Sequence, residues 1–269
     1  MTHPLDTAIA LQSLGPDRFG GRTDPGYANV VGPFGGTTAA VLLNAALQHP
    51  ARLGDPIALT VNYAAPVADG GFELHARPAR TNRSTQHWLL EMLQGGEVVV
   101  TGSAVFAQRR ATWGAPEARP PEGLPPAEAL TPAELTGFPA WTRRYEFRFP
   151  PGEAPQWRDG TEQPHARSQL WIRDQPPRAL DFAALAALAD AFFPRIFVRR
   201  RRPVPAGTVT LTTYFHADAA QLAAHGERPV LGVARPQVFR NGYFDQSAEL
   251  WDATGHLLAS SHQMVYYRE

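Results

Sequence analysis

The sequence predicts an α+β chain made of two copies of one unit, each an antiparallel sheet wrapped around a single helix. Three observations carry that expectation. Each half runs one helix followed by four strand-like segments, the second helix segment is apolar on every side, and a proline-rich stretch lies between the halves.

In the first half, the Gly-rich turn GPFGG at 32–36 opens an apolar helix, TTAAVLLNAALQHP, at 37–50. Strand candidates follow at IALTVNYA (57–64), FELHARPAR (72–80), QHWLLEML (86–93) and VVVTGSAVFAQ (98–108), and residues near 17–23 add a leading strand. In the second half, the helix is DFAALAALADAFFP (181–194), and the strand candidates are TVTLTTYFH (208–216), VLGVARPQVF (230–239), GYFDQSAELW (242–251) and LLASSHQMVYY (257–267). TRRYEFRF (142–149) and RSQLWIRD (167–174) supply its leading strands. From Phe182 to Phe193 every residue is Phe, Ala or Leu except Asp190, and a helix that is apolar all round belongs in the centre of a fold. The prolines of 113–137 fit a linker rather than a packed element. The expected division is an N-terminal unit over 1–110, a linker over 111–140 and a C-terminal unit over 141–269.

Composition narrows the function classes. With 25 basic and 25 acidic residues the formal charge is zero, which argues against nucleic acid or an anionic membrane as partner. Every basic residue is Arg, so arginine content says little about function. With 0 Cys, disulfides, thiolate metal sites and a cysteine nucleophile are excluded together. No metal or cofactor is expected. The start MTHPLDTAIALQSLG lacks a basic region and a long apolar core, and no stretch of ~18 apolar residues occurs, so the expected location is cytoplasmic.

Two polar residues stand out against this background. Gln263 shares strand parity with Leu257, Ala259, Ser261, Val265 and Tyr267. Matching the turn at Gly255 to that at Gly96 sets Gln263 on Ala104, within the apolar or small stripe Val98, Val100, Gly102, Ala104, Phe106, so the amide is expected on the inner face and His262 on the outer. Asp190 has Ala183, Ala186, Ala187, Phe193 and Pro194 at helical spacings. A carboxylate there is costly unless paired. Near the helix end it could turn outward to water or cap a backbone; kept inside, it suits catalysis.

The chain resembles the type II acyl-CoA thioesterase family, whose double hotdog fold joins two helix-in-sheet units in one polypeptide. The resemblance runs through VVGPFGG, NYAAPVADGG, RSQLWIRD, LADAFFP, GTVTLTTYFH and LLASSHQ, in that order. It implies hydrolysis of acyl-CoA thioesters in fatty acid metabolism, by a water held between an Asp, a Thr or Ser and a Gln. Those positions fall on Asp190, Thr208 and Gln263, with Thr212, taken to share the face of Thr208, as the reserve hydroxyl for substrate binding. A carboxylate can take a proton from water while hydroxyl and amide fix its direction. Gly35 and Gly36, at the first helix start, could offer backbone N–H groups to the substrate carbonyl or simply allow close packing. Some members carry an acidic residue and a His after the matched threonine, where this chain has Thr210 and Leu211, a departure that bears on substrate preference.

Other features have bland readings. His216 at a strand end is more often structural than catalytic, and Arg199 to Arg202 could meet the phosphates of coenzyme A or form a solvated charged loop. Phe192, Phe193, Phe197 and Tyr214 are expected to fill the space beside the second helix. Two other functions share the fold: an enoyl thioester hydratase, for which no D-x-N-P-x-H segment is present, and a non-catalytic acyl-binding protein. Fused hotdogs already complete the minimal pair, and relatives also form homo-oligomers.

Overall fold

A computed structural model describes residues 2–156 and 159–269 of the chain. The first half contains α1 (Pro4–Ala8), β1 (Gln12–Gly15), β2 (Arg18–Arg22), α2 (Gly35–Gln48), β3 (Asp55–Tyr63), β4 (Gly71–Thr81), β5 (Thr85–Gln94) and β6 (Glu97–Ala107). The second contains β7 (Tyr145–Arg148), β8 (Ser168–Asp174), α3 (Phe182–Leu188), α4 (Arg195–Arg200), β9 (Ala206–Phe215), α5 (Ala219–His225), β10 (Val230–Arg235), β11 (Phe239–Arg240), β12 (Tyr243–Trp251) and β13 (Leu257–Tyr267).

Among the described residues the strands form one 13-stranded antiparallel sheet in the order β1-β2-β4-β5-β6-β3-β9-β13-β12-β10-β8-β7, with β11 beside β12. The order is mirrored about the β3/β9 seam, as two copies joined edge to edge require. The register makes the relation quantitative. In β3 the ladder to β6 skips Ile57, and in β9 the ladder to β13 skips Val209, so each copy carries a β-bulge near the start of its seam strand. Superposing bulge on bulge sets Thr60 on Thr212, and these two are also direct cross-strand partners with hydroxyl oxygens 3.0 Å apart. The pseudo-two-fold axis therefore passes between them. The same superposition sets Pro56 on Thr208, Ala104 on Gln263 and Trp88 on Gln246.

The inner face of the sheet holds α2 and α3. Small residues let the two helices approach closely: Gly36, Ala39 and Ala40 on α2 and Ala183, Ala184, Ala186 and Ala187 on α3 are all buried. A Cβ built on Gly36 would lie 2.4 Å from the Ala187 carbonyl oxygen, so only glycine admits this contact. Asp181 caps α3 by accepting from the Ala184 amide at 2.8 Å.

Two expectations need correction. The helix foreseen over 181–194 ends at Leu188; Ala191 N–H donates to Leu188 O and Phe192 N–H to Asp190 O, a tightened turn that leads into Pro194 and α4. Propensity of an alanine-rich segment does not hold a helix together once the chain must turn to deliver Asp190 and then meet proline. The proline-rich stretch is also not free of packing. Ala127 is buried, and with Leu124 and Leu130 it covers Trp171, Leu231, Val233 and Trp251 on the outer face of the second-half sheet. Trp171 Nε1 donates to Pro125 O at 3.0 Å and Arg148 Nη1 to Ala127 O at 2.8 Å, which fixes this segment as a cover over an otherwise exposed apolar face.

Candidate active site

Asp190 sits in the turn just beyond α3 and points at the start of α2. Its Oδ1 accepts from Gln263 Nε2 at 3.2 Å, and Gln263 Oε1 accepts from Thr208 Oγ1 at 2.8 Å. The three side chains thus form one hydrogen-bonded line, Thr208 to Gln263 to Asp190, across β9, β13 and the turn after α3. Gln263 is 3% exposed and Asp190 is 8% exposed, so the line runs from the half-buried Thr208 into the interior.

The bulge at Val209 explains why Thr208 takes part. Leu211 and Thr213 pair with Gln263 and Ser261 on the inner face, whereas Thr210 and Thr212 pair with Met264 and His262 on the outer. Without the bulge Thr208 would follow Thr210 and Thr212 outward; the extra residue resets the alternation and turns Thr208 inward, opposite Val265. Sequence parity assigned Thr208 and Thr212 to one face, and this is corrected. Thr212 lies on the outer face, where its hydroxyl meets Thr60 at the pseudo-two-fold.

The electrostatics of Asp190 have opposing contributions. Burial pushes its pKa up from 3.8 to about 7, while hydrogen bonds from the Gln263 amide and the Gly36 backbone N–H pull it down. The N-terminal end of α2 adds a partial positive charge on the same side. The outcome is a carboxylate that exchanges its proton near neutrality. Gly35 leaves room for it: a Cβ there would come within 2.7 Å of Asp190 Oδ2. Tyr63 closes the other side, its hydroxyl donating to Gly35 O at 2.8 Å, and burial followed by the nearby Asp190 charge raises its own pKa well above the usual value. Ser261 Oγ donates to Ala189 O at 3.0 Å and pins the turn from the sheet. Beyond the turn, the fully buried Arg195 donates to Phe193 O, Ala166 O and Ser168 Oγ, fixing the chain where it leaves the site.

Gly36 lies at the start of α2, with its amide engaged by Asp190. The remaining candidates lie elsewhere. His262 is exposed and bonds Ser247, His216 is exposed and bonds Ser260, and Tyr214 is 51% exposed, on the outer face rather than beside the helix. Arg199, Arg200 and Arg201 pair with Glu162, Glu269 and Asp159. A surface cleft lined by Pro120, Trp171, Arg228 and Asp252 belongs to the outer face under the proline-rich cover, across the sheet from Asp190.

Two family profiles match the chain: the acyl-CoA thioesterase N-terminal domain over residues 23–107 and the acyl-CoA thioesterase C-terminal domain over residues 116–267. The chain belongs to the acyl-CoA thioesterase family. Among solved structures, a conserved protein of unknown function with a hotdog fold from Alicyclobacillus acidocaldarius is 46% identical, with a TM-score of 0.94 over 100% of this chain and 99% of that one. An acyl-CoA thioesterase II from Mycobacterium marinum shares the fold at 16% identity and TM-score 0.75, over 98% of each chain. The dehydratase domain of RzxB from Pseudomonas fluorescens also shares it, at 14% identity and TM-score 0.58 over 99% of each. No protein of curated function matches. The architecture is thus the α+β double hotdog, and membership of an acyl-CoA thioesterase family supports thioester hydrolysis as its general chemistry. No helix of the described residues is long and apolar enough to cross a membrane.

Within this thioesterase-family fold, sequence reasoning passed over three residues at the site. Tyr63 is the second residue of NYAAPVADGG, a segment already singled out, and Ser261 shares the inner face two positions before Gln263. Gln246 is a strand glutamine opposite Gln263, visible only once the β12/β13 register is known.

Proposed function

We propose that the protein hydrolyses acyl-CoA thioesters to a free carboxylic acid and CoA, with Asp190 as general base. The observation that carries the reading is the hydrogen-bonded line Thr208, Gln263, Asp190, with a buried carboxyl group poised near neutrality at its inner end. A water bound at this line donates a proton to Asp190 as its oxygen attacks the thioester carbonyl. Thr208 and Gln263 set the direction of attack. The tetrahedral intermediate then expels the CoA sulfur, which takes up the proton, so one water and one thioester give one acid and one thiol. Backbone N–H groups at the start of α2 would serve as donors to the developing oxyanion.

The experiment is a panel of acyl-CoAs of graded chain length, with thiol release followed by a chromogenic disulfide. Turnover that falls by roughly 10²- to 10⁴-fold in Asp190→Asn supports the reading. Tight acyl-CoA binding without thiol release would instead mark an acyl-binding protein, and loss of enoyl absorbance without thiol release a hydratase.

A further inference from the structure

The peptide that joins Gly35 to Gly36 is held at both ends. Its carbonyl oxygen accepts from the Tyr63 hydroxyl at 2.8 Å, and its N–H is engaged by Asp190. A trans peptide is planar, with C=O and N–H on opposite edges, so one rigid unit joins the phenol to the carboxyl group. The two side chains also converge on the same glycine: a Cβ at Gly35 would lie 2.7 Å from Asp190 Oδ2 and 3.2 Å from the Tyr63 hydroxyl oxygen.

The second copy provides a comparison. The superposition that sets Thr60 on Thr212 sets Tyr63 on Phe215. Phe215 is 2% exposed and packs edge-on against Phe182, the first residue of α3, as Tyr63 meets Gly35, the first residue of α2. A phenyl ring therefore suffices to pack a helix start at this position. The hydroxyl is present in the copy whose helix start faces Asp190.

We propose that Tyr63 is a positioning residue that acts on Asp190 through the Gly35–Gly36 peptide, its hydroxyl fixing and polarising the carbonyl end so that the amide end donates more strongly to the carboxylate. Only the consequence for rate rests on the hydrolytic reading above. Hydrogen bonds in series polarise one another, and a stronger donor favours the charged form of the acceptor. Two titratable groups sense Asp190 from neighbouring strands, Tyr63 on β3 and Tyr145 on β7; burial foremost raises both well above the usual range, so both stay neutral. Gln263 on β13 is uncharged, and Arg195 beyond the turn is directed at Phe193, Ala166 and Ser168. A change at Tyr63 therefore reaches Asp190 through the peptide and not through an altered charge.

The test follows Asp190 by the carboxyl carbon resonance of protein carrying isotope-labelled aspartate, assigned by its absence in Asp190→Asn. Alongside it, kcat/KM is measured from about pH 5 to 9 for the acyl-CoA of the panel turned over fastest. In Tyr63→Phe both inflections are expected to rise by about half a pH unit or more, so that kcat/KM falls about threefold or more near pH ~6 and the loss narrows towards pH ~9. Should that variant not fold, a fluorinated tyrosine at the same position, a stronger donor of nearly the same shape, is expected to lower both inflections. Inflections that do not rise in Tyr63→Phe, or do not fall with the fluorinated ring, overturn the assignment. A loss of kcat/KM that is uniform in pH also overturns it, because it marks a purely structural contact. A resonance that shifts as expected in a protein releasing no thiol from any acyl-CoA removes the hydrolytic reading and leaves the coupling standing.

Discussion

Asp190 and Gln263 meet over 3.2 Å although they are separated by 73 positions in the chain, one in a turn after a helix and the other in the last strand. Asp190→Asn keeps the shape and one accepting oxygen but turns the other into a donating NH2 and cannot take up a proton. We expect thiol release to fall by roughly 10²- to 10⁴-fold with little change in KM. A variant retaining more than half of the wild-type rate would sink the assignment of Asp190 as base.

The position of that carboxyl pKa fixes the pH profile. Because the base must be ionised, log kcat/KM rises with unit slope below about pH 7 and levels off above it, and the inflection disappears in Asp190→Asn. A profile flat from about pH 5 to 9 in the wild type excludes a base with that pKa.

The same shift is a statement about stability. The folded pKa of Asp190 is raised from 3.8 to about 7, so the folded state holds the proton more tightly, and its contribution is present below the ordinary value and lost as pH rises through about 7. Asp174 behaves alike: burial lifts it to about 7 against the attraction of Arg178, with Asp181 and Asp6 adding to the rise. Asn at either position should stabilise the protein at about pH 8 and do little at about pH 4, as read by denaturant midpoints. Asp174→Asn should leave kcat unchanged, which separates a structural carboxylate from a catalytic one.

Thr208 and Thr212 provide a paired test of the bulge. Thr208→Val removes the hydrogen bond to Gln263 and should lower kcat roughly tenfold, with Thr208→Ser restoring it. Thr212→Val loses only the contact with Thr60 on the outer face and should keep full kcat. Equal losses at both sites would contradict the face assignment.

Two adjacent glycines should fail in different ways. Gly35→Ala brings a Cβ to 2.7 Å from Asp190 Oδ2, and a side-chain oxygen can shift, so activity falls more than stability. Gly36→Ala meets the Ala187 backbone carbonyl at 2.4 Å, where neither helix can yield cheaply, and should destabilise by about 1–3 kcal/mol. Thermal melts alongside thiol-release rates distinguish the two.

Much of the fold was legible because both periodicities were clean. The repeat located the helices and strands, and matching Gln263 to Ala104 of the first copy placed it inside. Three features were not legible, each for a physical reason. Alternation counts residues, and a bulge adds one without a composition signal, so Thr212 was assigned to the wrong face. Helix propensity rates Ala highly but does not register where the chain must turn, so α3 was drawn too long. Proline density reports stiffness of the backbone and not what lies beneath it, so the cover formed by Leu124, Ala127 and Leu130 was missed.

The axis between Thr60 and Thr212 has a final consequence. In a pair of identical subunits, any change near the seam is written twice, and a residue that suits one side is forced on the other. Covalent fusion releases each copy from its twin. Pro56 and Ala104 are packing residues in one copy, while the equivalent Thr208 and Gln263 form a hydrogen-bonded line with Asp190 in the other. Neither copy is self-sufficient, since Gly35 and Gly36 of one end against Asp190 of the other.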